Sequence, residues 1–64
     1  MKIKYIVKPS EDSHLHFSEW DETIAKFVID DMPGWEQSLY IFDSFWLALD
    51  TAKIFDGVVL EWGK

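Results

Sequence analysis

The residues that could support chemistry are concentrated in one stretch, residues 11–22, which reads EDSHLHFSEWDE. It contains five carboxylates and two histidines but no lysine or arginine. His14 and His16 are two residues apart, so on a β-strand they lie on one face and can supply two ligands to a metal ion. A zinc site needs a third or fourth ligand, which Glu11, Asp12 or a distant residue would have to provide. We favour two exposed histidines over a metal site, and we predict no cofactor.

Paired carboxylates, such as Asp30–Asp31 and Asp21–Glu22, are the second candidate chemistry. A catalytic acid or base at neutral pH needs a pKa raised by burial, whereas these pairs fall at predicted helix ends, where water solvates them. The glycines at 34, 57 and 63 cannot form a phosphate loop, and no nucleophile elbow is present. We therefore predict that the chain is not an enzyme, and a metal-dependent enzyme is the least favoured hypothesis.

Length and composition limit the architecture that positions these residues. Sixty-four residues predict a single domain, 1–64. There is no cysteine, so a core rich in aromatic rings must stabilise the fold, and four Trp, five Phe and two Tyr can provide it. The start, MKIKYIV, does not resemble a signal peptide, and no apolar run is long enough for a membrane span. These features predict a cytoplasmic protein without membrane contact.

Hydrophobic periodicity predicts six elements. Two-residue alternation indicates strands, and apolar residues that cluster on one arc at 100° per residue indicate helices. In chain order they are strands at 2–8 and 14–17, a helix from Ser18 to about residue 32, a strand at 37–42, a helix from Asp43 to about residue 55, ended by Gly57, and a strand at 57–62. The order ββαβαβ predicts an α+β fold, a small two-layer sandwich with two helices on one face of a four-stranded, mainly antiparallel sheet.

The charges are unevenly distributed. The net charge is −6, and all six basic residues are lysines. Because arginine is the residue best suited to phosphate and guanine contacts, its absence argues against direct nucleic-acid binding and favours a basic protein partner. If the helices cover one sheet face, the open face would be basic and the helical side acidic. The predicted open face carries Lys2, Lys4, Lys8, His14 and His16.

Trp46 is the most informative residue of the second predicted helix. It falls in one arc with Asp50 and Lys53, away from the predicted core stripe that includes Phe45 and Leu49. An indole beside carboxylates is typical of an interface anchor, although packing under the loop at residues 33–36 is an equal alternative. A second apolar edge of this helix, formed by Leu47 and Ile54, could belong to a homodimer or to a partner surface.

In size, acidity, lack of cysteine and aromatic density, the chain resembles small phage-encoded inhibitors, including anti-CRISPR proteins and other DNA mimics. That resemblance implies a protein of the host cytoplasm that binds a nucleic-acid-handling complex and blocks its DNA or RNA site. We predict a non-catalytic acidic binding protein of this kind, with a self-associating structural or regulatory module as the alternative. The predicted partner-binding residues are Glu11, Asp12, Asp30, Asp31, Glu36, Asp43, Trp46 and Asp50.

Overall fold

The computed structural model describes residues 3–63, so Lys2 and its predicted place on a basic face lie outside the described residues. Within this range the chain forms four strands, one α-helix and one 3₁₀ turn. The elements are β1 (Lys4–Lys8), β2 (Leu15–Asp21), β3 (Ile24–Ile29), the 3₁₀ turn (Trp35–Ser38), α1 (Phe45–Ile54) and β4 (Val58–Trp62). The α+β class is confirmed, whereas the single four-stranded sheet with two helices is wrong. No helix in this range is long and apolar enough to cross a membrane.

The strands form two separate antiparallel pairs rather than one sheet. β1 pairs with β4, with Ile6 opposite Leu60, and β2 pairs with β3. The first two strands are therefore not paired with each other. Both strands of the β1–β4 pair contain β-branched and aromatic residues, and their pairing places apolar side chains opposite one another at Ile6–Leu60 and Val7–Val59. The Tyr5 N–H also donates to the Phe42 carbonyl at 2.9 Å, and the Phe42 N–H donates to the Tyr5 carbonyl at 2.8 Å. The chain before α1 therefore lies along the other edge of β1.

The helix predicted from Ser18 to about residue 32 is instead the β2–β3 hairpin. Its two-residue connection places Glu22 in the left-handed region, with φ 58°. The register skips one residue at Ser18, because Phe17 lies opposite Phe27 whereas Glu19 lies opposite Lys26. Such a bulge reverses the alternation of side chains along the strand. Spacings that look helical in the sequence therefore arise from a bulged strand.

The segment 37–42, predicted as a third strand, does not form a regular strand in the structure. Part of it belongs to the 3₁₀ turn, and its strand character is confined to the bridge that Phe42 makes with β1. The second predicted helix is confirmed as α1, but its N-cap is Ser44 rather than Asp43, since the Ser44 hydroxyl accepts from the Leu47 N–H. The predicted end at Gly57 is confirmed, because the Gly57 N–H donates to the Ala52 carbonyl at 2.7 Å.

The core lies where α1 and the hairpin meet the β1–β4 pair. Five buried side chains form it, and Phe17, fully buried, contacts the rings of Phe42 and Phe55 at 6.1 and 6.3 Å between centroids. The helix contributes small residues, which allow its axis to approach the strands closely. Phe45, predicted in the core stripe, remains 40% exposed. The buried core residues are Val7, Phe17, Phe42, Ala48 and Ala52.

Candidate protein-binding surface

Asp30 is the predicted site residue with the richest set of contacts. His16 Nε2 donates to one carboxylate oxygen of Asp30 at 3.0 Å, and His14 Nδ1 lies 3.3 Å from the other oxygen. The hydrogen bond from His16, with the charge of His14 in addition, lowers the pKa of Asp30 below its usual value, and desolvation opposes this only in part. Asp30 therefore stays ionised and anchors the end of β3 to the start of β2. A group with this pKa direction is unsuited to act as a general acid at neutral pH.

His16 is not on an open basic face, so that part of the predicted charge layout is wrong. It is 95% buried, its ring stacks on Trp35 at 4.7 Å, and its Nδ1 has no hydrogen-bond partner among the described residues. The 3₁₀ turn that carries Trp35 covers this face of the hairpin. His14, in contrast, is exposed. Within residues 3–63, no group of three or more His, Cys, Asp or Glu side chains is placed to hold a metal ion.

The other predicted acidic residues lie on separate segments. Glu11 and Asp12 are exposed in the turn before β2, and Asp31 and Glu36 are exposed on the segment after β3. Asp43, which precedes α1, forms an ion pair with Lys4. These five acids thus come from three segments of the chain outside α1.

Trp46 and Asp50 do share a surface, the outward face of α1. Ala48, Thr51 and Ala52 point into the protein. At 100° per residue, the opposite arc therefore carries Lys53, Trp46, Asp50, Ile54 and Leu47 in that order, and all five are exposed. The three apolar side chains of this arc are unusually exposed, at 70% for Trp46, 60% for Leu47 and 67% for Ile54. Of the two alternatives for Trp46, the structure therefore shows the exposed indole, and Leu47 and Ile54 are exposed as an apolar edge of the same helix.

Two grooves adjoin this face of α1, where the helix meets the hairpin. The first, of about 260 Å³, has Leu47 and Asp50 on its helical side and Trp20 and Tyr40 on the other. The second, of about 420 Å³, is lined by Trp20, Glu22, Thr23 and Ile54. Trp20 separates the two grooves, and each groove has one carboxylate on its wall. We call the outward face of α1 together with these grooves the helix–hairpin surface.

Trp20 and Tyr40 were not predicted as site residues. The bulge at Ser18 lies between Phe17 and Trp20, whose ring centroids are 5.3 Å apart, and Trp20 remains 38% exposed beside the buried Phe17 ring. Tyr40 follows the 3₁₀ turn and packs on Phe42 at 4.6 Å. No local signal in the sequence distinguishes these two rings from core aromatics, because their exposure depends on the tertiary packing of the hairpin against α1.

The helix–hairpin surface combines partly exposed aromatic rings and largely exposed aliphatic side chains with isolated carboxylates. Protein interfaces also combine an apolar centre with surrounding charged positions. Comparison with protein-family models, with curated proteins and with solved structures finds no match to this chain.

Proposed function

We propose that this chain is a non-catalytic acidic binding protein that inhibits or regulates a basic, nucleic-acid-handling protein by occupying its nucleic-acid site. The observation that carries the proposal is the outward face of α1, where Trp46, Leu47 and Ile54 are exposed around Asp50. A monomeric protein rarely exposes adjacent large apolar side chains on one helix without a partner to cover them.

The composition of this face favours a protein partner. Tryptophan is the residue most enriched among interface hot spots, and it contributes most when neighbouring apolar groups exclude water from around it. Leu47 directly follows Trp46 in α1, and Ile54 lies about two turns further along the helix. Burial of one large apolar side chain contributes roughly 1.5–3 kcal/mol, so burial of all three would offset a substantial part of the free-energy cost of association.

The charge of the chain favours a basic partner. Asp50 lies between the apolar side chains of α1, and Glu22 lies on the wall of the adjoining groove. The overall charge of −6 adds a long-range attraction to any surface that binds nucleic acid. Carboxylates at such a surface compete for the lysines and arginines that otherwise contact phosphates.

Capture from a nuclease-treated bacterial extract tests this proposal, with the proteins retained by a heparin column as the input. We expect the immobilised chain to capture a nucleic-acid-binding protein that DNA or RNA displaces, and to reduce the nucleic-acid binding of that protein when added in solution. Asp50→Lys should weaken capture about tenfold or more, since a like charge then faces the basic partner. Glu61→Lys is the matched control, because it gives the same net charge at an exposed position of β4.

Two outcomes would contradict the proposal. The first is a captured protein that nucleic acid does not displace and whose nucleic-acid binding is unchanged by the chain. The second is equal weakening by Asp50→Lys and Glu61→Lys, which would make net charge rather than the helix–hairpin surface the determinant.

Self-association is the second candidate function, and the exposure of Leu47 and Ile54 is the observation that favours it. A symmetric pair of α1 helices would bury both side chains, and the chain would then act as a structural or regulatory module. The pairing also brings two copies of Asp50 close together, which opposes it. Sedimentation equilibrium at rising concentration distinguishes the two functions, since only self-association gives a mass that increases and that Leu47→Asp restores to that of one chain.

A further inference from the structure

The spacing of the two grooves along α1 limits what can dock there. Leu47 borders one groove and Ile54 borders the other. The two residues are seven apart, so they are separated by about 10.5 Å along the helix axis, at 1.5 Å per residue. Each groove is a recess between α1 and the hairpin, with Trp20 as the shared wall.

An α-helix matches this spacing and an extended strand does not. A partner helix that lies along α1 presents side chains at i and i+7 on one face, about 10.5 Å apart. A strand rises about 3.3 Å per residue, so the same distance corresponds to three residues, and side chains three apart point to opposite faces. Only the helix can therefore fill both grooves from one face with a single straight segment.

The carboxylates add a charge requirement between the two apolar positions. Asp50 lies midway between Leu47 and Ile54 along α1, and it borders the first groove. A partner helix with its apolar residues at i and i+7 places position i+3 or i+4 opposite Asp50. A lysine or arginine there would form an ion pair next to apolar surface, where water screens the charges less than in bulk.

A second copy of this chain fits this requirement poorly. If two α1 helices pack antiparallel, with Leu47 of each chain opposite Ile54 of the other, Asp50 of one chain lies level with position 51 of the other along the helix axis. The two Asp50 carboxylates then lie one residue step apart, with the same charge. Charge complementarity therefore selects a basic helix from another protein.

From these relations we infer that the helix–hairpin surface binds an amphipathic helix of the basic partner, with large apolar side chains at i and i+7 and a lysine or arginine at i+3 or i+4. This inference rests on the proposed function and specifies the part of the partner that makes contact. The mode is a helix laid in a groove, in which a few anchor side chains provide most of the affinity.

A synthetic alanine-rich helical peptide of about 18 residues is the probe. It carries Leu at i and i+7 and Arg at i+4, and it is titrated into the ¹⁵N-labelled full chain. We expect amide shifts around Trp20, Asp50 and Ile54, and binding that weakens at least tenfold when Arg is replaced by Glu. The Asp50→Lys chain should restore binding of the Glu peptide, whereas Glu61→Lys should not. A peptide with its Leu residues at i and i+5 should also bind at least tenfold more weakly.

The inference is overturned if the Leu–Arg–Leu peptide causes no amide shifts, or if the shifts lie away from the helix–hairpin surface. It is also overturned if the Asp50→Lys chain does not bind the Glu peptide more tightly than the parent chain does. These results leave the proposed function standing when the captured partner still depends on Asp50. Conversely, a chain that binds the peptide as expected but does not impair nucleic-acid binding by any captured protein would overturn the proposed function alone.

Discussion

Gly57 shows how one residue fixes the path of the chain from α1 into β4. Its N–H donates to the Ala52 carbonyl across the helix end, with Asp56 in the left-handed conformation at φ 59°, the arrangement of a Schellman motif. A Cβ atom at position 57 would lie 2.4 Å from the carbonyl oxygen of Lys8. The close approach of β4 to β1 at this point thus requires the absence of a side chain.

We expect Gly57→Ala to destabilise the protein by about 1–3 kcal/mol, the range for side chains forced into filled space. The backbone oxygen of Lys8 cannot move without disturbing the β1–β4 pairing. Gly63→Ala is the matched control and should change the free energy of unfolding little, since no atom lies within 4 Å of a Cβ there. Urea unfolding followed by circular dichroism measures both variants, and equal stabilities would contradict this account of Gly57.

Asp30 makes the free energy of unfolding decrease as the pH falls into the acidic range. Its pKa is lowered in the folded protein, chiefly by the hydrogen bond from His16, and the ordinary value applies in the unfolded chain. A lowered folded pKa means that the contribution of Asp30 to stability is complete above about pH 4 and is lost as pH falls through the folded pKa. The predicted open histidine face would not produce this dependence.

The corresponding variant is Asp30→Asn, compared with the parent chain by thermal unfolding between pH 6 and pH 2.5. We expect the parent to be more stable at pH 6 and this advantage to shrink below about pH 4. Asp31→Asn is the neighbouring control, because Asp31 is exposed and has no ion pair within residues 3–63. A constant difference between Asp30→Asn and the parent across this range would show that the carboxylate is not stabilised by His14 and His16.

At the scale of elements, the hairpin β2–β3 shows what the sequence can and cannot predict. The sequence predicts β1, α1 and β4 from local patterns, which are the alternation through Tyr5 and Val7, the helical spacing of apolar residues after Asp43, and Gly57 at the helix end. It does not predict the hairpin, because a bulge and a two-residue turn interrupt the alternation and leave Phe17, Trp20 and Ile24 at spacings of three and four, which suit a helix equally well. The pairing of the strands cannot be predicted from local patterns either, because β1, near the start of the chain, pairs with β4, near its end.

The bulge at Ser18 is held by a bond to another element, because the Ser18 hydroxyl donates to the Ser38 carbonyl at the end of the 3₁₀ turn. We expect Ser18→Ala to cost about 0.5–1.5 kcal/mol, the net value of one such hydrogen bond. Ser38→Ala is a matched control, as it keeps the accepting backbone carbonyl. Chemical denaturation of the three proteins tests this, and a Ser38→Ala variant as unstable as Ser18→Ala would assign the effect to something other than this bond.

At the scale of the whole molecule, the predicted division into a basic and an acidic side does not hold. Lys4 pairs with Asp43, Lys26 with Asp21, and both histidines with Asp30, so these basic groups each have an acidic neighbour. Such pairs cannot be read from local sequence patterns, because Lys4 and Asp43 are 39 positions apart in the chain. The helix–hairpin surface is therefore distinguished by its exposed apolar residues more than by a large electrostatic dipole.

A protein of this size can build both a core and an apolar surface only if different residues serve each. Phe17 is fully buried, whereas Trp46 is 70% exposed and touches Phe45 edge-to-face. We expect Phe17→Ala to cost about 3–5 kcal/mol, a large share of the roughly 3–10 kcal/mol available to a domain of this length. Trp46→Ala should change the free energy of unfolding by less than about 1 kcal/mol, as for an exposed position.

Circular dichroism in urea measures these changes without depending on tryptophan emission, and Phe17→Leu supplies a milder core variant if Phe17→Ala does not fold. A loss of stability in Trp46→Ala comparable to that in the Phe17 variants would mean that the indole stabilises the fold itself. A stable Trp46→Ala chain that loses its partner would instead separate binding from folding, as expected of an exposed apolar patch that a partner covers.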